Sequence, residues 1–260
     1  MDKDHILLKF EHDVERLTAG VVLDRIAQVQ KTGEPQFTDF LDPNLSRTAE
    51  IVLNMFKQVK YINWGGYPEA ERVRLMIFLS EQQAKIESIP MAFLELSSDA
   101  AVSTLSHRDF LGAVLGLGLR REKIGDIIIT EEGSAQLIVA PEIVTYLLSG
   151  LLKVGKHKVS VRQIGQDELQ PSPRRQRELK ATVASLRLDA VASAGFGLSR
   201  SKLAPAIRAG QIKLNWQSVK SASATVKEGD VITLMGRGRI EVAAITGESK
   251  KGRLHIIIKK

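Results

Sequence analysis

Apolar residues recur at three- and four-residue intervals along the first part of the chain: Ile6, Leu7, Phe10, Val14 and Leu17, then Val22, Leu23, Ile26 and Val29. That is the period of helices with one buried face. Ala49 to Val59 repeats it. Thr38 to Asn44 and Trp64 to Pro68 are rich in Asp, Asn, Gly and Pro and read as turns, and Glu69 to Arg74 opens either a helix or the next strand. Residues 1–86 are therefore expected to form a mainly helical region.

The pattern changes at residues 87–166. Met91 to Leu96 and the β-branched run Ile124 to Thr130 read as strands, as do Ala135 to Ala140 and Val154 to Ile164. Ser106 is placed to cap a helix from His107 to about Leu117. Pro141 suits the first turn of another, running to about Ser149. Glu131 to Ser134 reads as a hairpin turn between the second and third strands. The order β-α-β-β-α-β predicts a ferredoxin-like domain, a plan shared by RNA-recognition domains and by many unrelated ones.

Residues 167–182 hold Pro171, Pro173 and the basic run Arg174-Arg175-Gln176-Arg177, and read as a linker able to touch phosphate. From 183 to 260 the pattern turns over quickly. Leu188, Val191 and Ala192 mark a short helix. Ser199 caps a second one carrying Arg200, Ser201, Lys202 and Arg208, interrupted by Pro205. Gly210 supplies a left-handed stop. Ile212-Lys213-Leu214 then alternates as a strand with Lys213 outward, and Asn215 follows at a turn. Val226, Val231 and Ile232 continue a small sheet, with Gly229-Asp230 as a turn, and 239–244 and 254–259 read as paired strands. Arg237 and Arg239 flank Gly238, where a backbone could approach phosphate closely. The fold class expected from these three patterns is α+β.

Charge sharpens this picture. The 260 residues carry a net +7, yet residues 171–260 hold 18 Lys/Arg against 6 Asp/Glu, while residues 1–170 carry a net −5. Positive charge concentrated in one patterned module is the footprint of a polyanion binder, because neutralised phosphates release counterions. There is no cysteine, which excludes disulfides, thiol nucleophiles and Cys-zinc sites. No apolar run is long enough for a membrane-spanning helix, and no signal peptide is visible, so a cytoplasmic protein is expected.

The stretch Leu186-Arg187-Leu188-Asp189, Leu198-Ser199-Arg200-Ser201-Lys202, Ile207-Arg208-Ala209-Gly210 and Ile212-Lys213-Leu214-Asn215 resembles the S4 RNA-binding domain, the αL-type module first defined in a small-subunit ribosomal protein. The resemblance implies an RNA-contact surface of Arg200, Ser201, Lys202, Arg208, Lys213 and Asn215. Arg187, Ser199, Arg237 and Arg239 join it as candidates from their positions. Gly65 to Arg72, His107 to Gly112 and Gly116 to Asp126 are similar to signature stretches of the bacterial YlmH family, and to its cyanobacterial and plastid branch labelled photosystem II S4 domain protein. That resemblance implies RNA binding, association with the large ribosomal subunit, and a role with stalled peptidyl-tRNA. Ribosomal RNA and tRNA are the expected partners. The alternative is an assembly factor for a protein complex, in photosystem biogenesis or cell division, with the acidic N-terminal region as the contact. Arg120, Arg121 and Lys123 form a second candidate RNA patch.

Catalytic readings fare poorly. Arg187-Leu188-Asp189 resembles the catalytic stretch of pseudouridine synthases, but Ala192 and Ala194 stand where that pattern has Thr and Gly. His107-Arg108-Asp109 mimics a kinase catalytic loop, but Val114 replaces its metal-holding Asn. Gly116 and Gly118 lack the third glycine of a phosphate loop. The five histidines show no ligand spacing. No catalytic residue, cofactor or metal is expected, and an RNA-modifying enzyme is the least favoured reading.

Overall fold

The structure, a computed structural model, describes residues 3–10, 12–98, 105–130, 134–171, 178–249 and 252–260. The chain divides into two compact units, Met1–Ser172 and Pro173–Lys260.

The first unit opens with α1 (Lys3–Leu7) and the long helix α2 (Asp13–Thr32). Ala19, Val22, Leu23, Ile26 and Val29 are its buried face, and Gly33 ends it at φ 73, its N–H bonding the Val29 carbonyl. Helix α3 (Pro43–Leu53) starts where the Asp42 carboxylate accepts the Leu45 N–H at 3.0 Å. Helix α3 thus begins six residues before the helix expected from Ala49 to Val59, and Val59 instead opens a strand of a three-stranded antiparallel sheet of β1 (Gln36–Phe37), β2 (Val59–Trp64) and β3 (Arg74–Leu79), in the order β1-β3-β2. Strand β3 reads Arg-Leu-Met-Ile-Phe-Leu and is covered on both faces. Leu75 and Ile77 join the core under α2 and α3, whereas Met76 and Phe78 pack with Ile89. A strand buried on both sides has no polar alternation to betray it.

The rest of this unit runs β4 (Ala92–Ser98), α4 (His107–Gly116), β5 (Ile124–Ile129), β6 (Ala135–Val139), α5 (Val144–Gly150), β7 (Lys153–Val154) and β8 (His157–Ile164). The sheet order is β5-β6-β4-β8-β7 with every neighbouring pair antiparallel. The first four of those strands have the arrangement of the split βαβ plan. The single strand expected from Val154 to Ile164 breaks at Gly155 (φ 58), which folds β7 back on β8 as a hairpin. Phe110, Val114 and Leu147 from the helices pack on Leu94, Leu96, Leu137 and Val139. The other sheet face carries Phe93, Ile128 and Ile138, and Phe40, Tyr67 and Met91 cover it.

Polar contacts lock this junction. Asp126 accepts from the Tyr67 hydroxyl at 2.7 Å and from the backbone N–H groups of Glu71 at 2.7 Å and Arg72 at 3.0 Å. Arg72 donates to the carbonyls of Ile124 and Phe40, both at 2.9 Å. Gly125 leaves room for Phe40: a Cβ there would stand 2.8 Å from its ring.

The second unit is a six-stranded antiparallel sheet with two helices. It contains β9 (Glu178–Val183), α6 (Leu188–Phe196), α7 (Arg200–Arg208), β10 (Ile212–Leu214), β11 (Gln217–Ser218), β12 (Val231–Leu234), β13 (Gly238–Glu248) and β14 (Leu254–Lys259). The order is β11-β10-β12-β13-β14-β9. Residues 178–182, assigned to the linker by composition, are instead most of an outer strand, each paired residue by residue with β14. Its side chains are mostly exposed, so only backbone pairing marks it as a strand. Leu188, Val191, Leu203 and Ile207 close the core over Ile212, Ile232, Ile240, Val242, Ile256 and Ile258.

Candidate nucleic-acid interface

The second unit presents its basic residues on two sides, because the helices lie against one face of the sheet and leave the other open.

On the helix side, Gly197 (φ 65) turns the chain out of α6, and Ser199 restarts it. The Ser199 hydroxyl accepts the Lys202 N–H at 3.4 Å and lies 2.9 Å from the Ser201 hydroxyl. Leu203 and Ile207 are the buried edge of α7, so Ser201, Lys202 and Arg208 project outward. Pro205 is accommodated within the helix, and Arg208 stays in its last turn, exposed. Gly210 (φ 68) then stops the helix. Arg200 stands near Asp189, which Arg187 grips through Nε–Oδ1 at 3.1 Å and a second guanidinium nitrogen to Oδ2 at 3.3 Å. Burial alone would raise the Asp189 pKa. The hydrogen bond and charge of Arg187, with the charge of Arg200, overcome this and hold it below the usual carboxylate range. Arg187 is thus anchored, and Lys202 and Arg208 form no ion pair among the described residues.

On the open sheet face, Lys213 lies opposite Ser218 on one side and Thr233 on the other, and Thr233 lies opposite Arg239. Directly opposed residues of antiparallel strands share a face, so Ser218, Lys213, Thr233 and Arg239 form one row across four strands. The next row, Val231, Glu241, Lys259 and Glu178, mixes both signs. Arg237 sits in the exposed β12–β13 turn, its N–H bonded to the Leu234 carbonyl. Thr233 escaped the sequence reading; the alternation of β12 around buried Ile232 and Leu234 is the signal that places it.

Asn215 has a structural task. It adopts φ 49, its side-chain amide donates to Asp230 at 2.8 Å, and its side-chain oxygen accepts the Val231 N–H at 2.9 Å. The strand turn is stapled by this side chain.

Arg120, Arg121 and Lys123 separate in the same way. Arg121 bonds the carbonyls of Ile124 and Gly125, and burial, with the neighbouring Arg72, brings its pKa down to about 10. Lys123 bridges Asp39 at 2.6 Å and Glu142 at 2.7 Å. Arg120 remains exposed, 3.8 Å from Asp39. Arg174, Arg175 and Arg177 lie outside the described residues. Among the described residues no cluster of His, Asp or Glu is arranged to hold a metal ion, and no helix is long and apolar enough to cross a membrane.

Three family models match the chain in succession: the N-terminal domain of YlmH at residues 15–82, the putative RNA-binding domain in YlmH at 84–168, and the S4 domain at 186–232. The chain is similar to the Bacillus subtilis (strain 168) protein named ribosome-associated protein quality control protein P2, with 34% identity over 236 residues, covering 89% of this chain and 90% of that one. It also shares its fold with the cell division protein ylmH from Streptococcus pneumoniae, at a TM-score of 0.51 and 23% identity, over 61% of this chain and 97% of that one. The chain carries an S4 RNA-binding domain behind the two YlmH domains, and it belongs to the YlmH family.

Proposed function

We propose that this protein binds ribosomal RNA and tRNA on the large ribosomal subunit and serves ribosome-associated quality control without catalysing a reaction itself. The observation that carries the reading is the outward face of α7. Lys202 and Arg208 stand there with no carboxylate partner among the described residues, beside the Ser199–Ser201 hydroxyl pair. Such groups suit phosphate oxygens, which position an RNA without reading its sequence. Arg200 supplies a further charge at the start of the helix. The name of the Bacillus subtilis relative supports the ribosomal setting. The open sheet row with Lys213 and Arg239 offers additional contacts.

The test is crosslinking and sequencing of RNA bound in cells, comparing the wild type with Arg200→Glu/Lys202→Glu. Large-subunit ribosomal RNA and tRNA are expected to be enriched by the wild type and lost in the variant. Enrichment that survives the charge reversal would reject α7 as the contact. No enrichment by either would reject the RNA-binding reading.

A further inference from the structure

We infer that the middle domain touches RNA through its β7–β8 hairpin, by phosphate contacts, and not through the central strands that RNA-recognition domains use. The inference rests on the reading that the protein binds RNA and adds where a second contact lies.

A sheet of this plan ordinarily binds RNA by stacking bases on aromatic side chains of its central strands. Here those strands are β4 and β6, and their positions on the face away from the helices are Phe93, Glu95, Gln136 and Ile138. None of them is available as a stacking platform. Phe93 and Ile138 pack beneath Phe40, Met91 and Tyr67. Gln136 is 1% exposed, donating to the Glu168 carbonyl at 2.9 Å and accepting the Gln170 N–H at 2.7 Å. Glu95 pairs with Arg162 at 2.6 Å.

The same face stays open at its other end. Beyond the Glu95–Arg162 pair come Ser97 opposite Ser160, and then Lys158 opposite Lys153 at the β7 edge. Lys156 occupies the hairpin turn. Two lysines directly opposed across antiparallel strands repel each other, and Lys153, Lys156 and Lys158 have no ion pair among the described residues. From Ile143 to Val161 the sequence contains no Asp or Glu. An anion lying along the hairpin would relieve this repulsion. The neighbours on that face are serine hydroxyls, and the aromatic ring is covered, so the surface suits a phosphate backbone and not unstacked bases. Binding there is sequence-independent.

The test uses the full chain and measures affinity for a duplex RNA hairpin and a single-stranded oligouridine across a series of salt concentrations. The variants are Lys153→Ala/Lys156→Ala/Lys158→Ala and the charge-preserving Lys153→Arg/Lys156→Arg/Lys158→Arg. If each lysine neutralises one phosphate, the alanine variant should bind the duplex hairpin with a log–log salt slope shallower by about 2 to 3 and with more than tenfold weaker affinity at moderate salt. The arginine variant should bind as the wild type does, and neither variant should melt below the wild-type temperature. Unchanged affinity and slope in the alanine variant would overturn the inference, leaving the lysines as guards of an exposed sheet edge. A strong preference for oligouridine would overturn it too, because it would point to base stacking. A wild type that binds neither RNA would instead reject the underlying RNA-binding reading.

Discussion

At the scale of single residues, the interface separates groups that hold the fold from groups that face outward. Asn215 is the clearest case. Its type and place suggested an RNA contact, but its side chain spans a strand turn through two hydrogen bonds. Asn215→Ala should cost roughly 1–2 kcal/mol in urea unfolding, since it strands the part-buried partners of two hydrogen bonds. RNA affinity measured well below the melting temperature should stay within error of the wild type. Arg187 and Asp189 make a second such pair. Because the folded Asp189 has a lowered pKa, its contribution is present above the unfolded carboxylate value and is lost as pH falls through the folded one. Acid titration of stability should therefore be flatter for Asp189→Asn over that low-pH window. Sequence alone found Ser199, Arg200, Lys202 and Arg208 where they stand, because cap and helix period are local properties. It did not separate Lys123 from Arg120, because the partners that bind Lys123, Asp39 and Glu142, come from distant parts of the chain.

Among elements, the junction between the N-terminal layer and the middle sheet depends on a few groups. Asp126 holds one hydroxyl and two backbone N–H groups, so Asp126→Ala leaves three donors without their acceptor. A loss of about 3 kcal/mol or more is expected by chemical denaturation, as a charged acceptor with several donors is worth more than a neutral pair. Gly125→Ala should also destabilise, by forcing its Cβ onto the Phe40 ring, and the deficit should shrink when Phe40→Leu is combined with it. Strands β4, β5 and β6 were legible from their apolar runs, whereas the break at Gly155 that divides β7 from β8 was not. Strand β3 was not legible either, since burial on both faces removes the alternation that marks a strand, and β2, where only Val59 is buried, shows no regular alternation. Strand β9 escaped for the opposite reason: only its last residue, Val183, is buried. The partition of its neighbourhood into linker and strand depends on β14, whose pairing partner is not written in local composition.

For the whole molecule, net charge and organisation coincide: the basic excess belongs to the unit from Pro173 to Lys260, and the acidic balance to the other. An S4 surface and a hairpin surface joined by one chain would bind jointly through effective concentration, so neutralising either should drop affinity toward that of the site left behind. The unit from Pro173 to Lys260 also closes on a long-range pairing. Thr182 of β9 bonds His255 of β14 across a separation of 73 residues, and closing so long a loop is costly in chain entropy, which favours this pairing forming late. Val183 is 3% exposed and lies at the end of that ladder, opposite Leu254. In stopped-flow experiments Val183→Ala should quicken unfolding while hardly slowing refolding, the signature of a contact made after the rate-limiting step. The strand that composition read as a tether would then be the latch that determines how long the RNA-binding unit stays closed once folded.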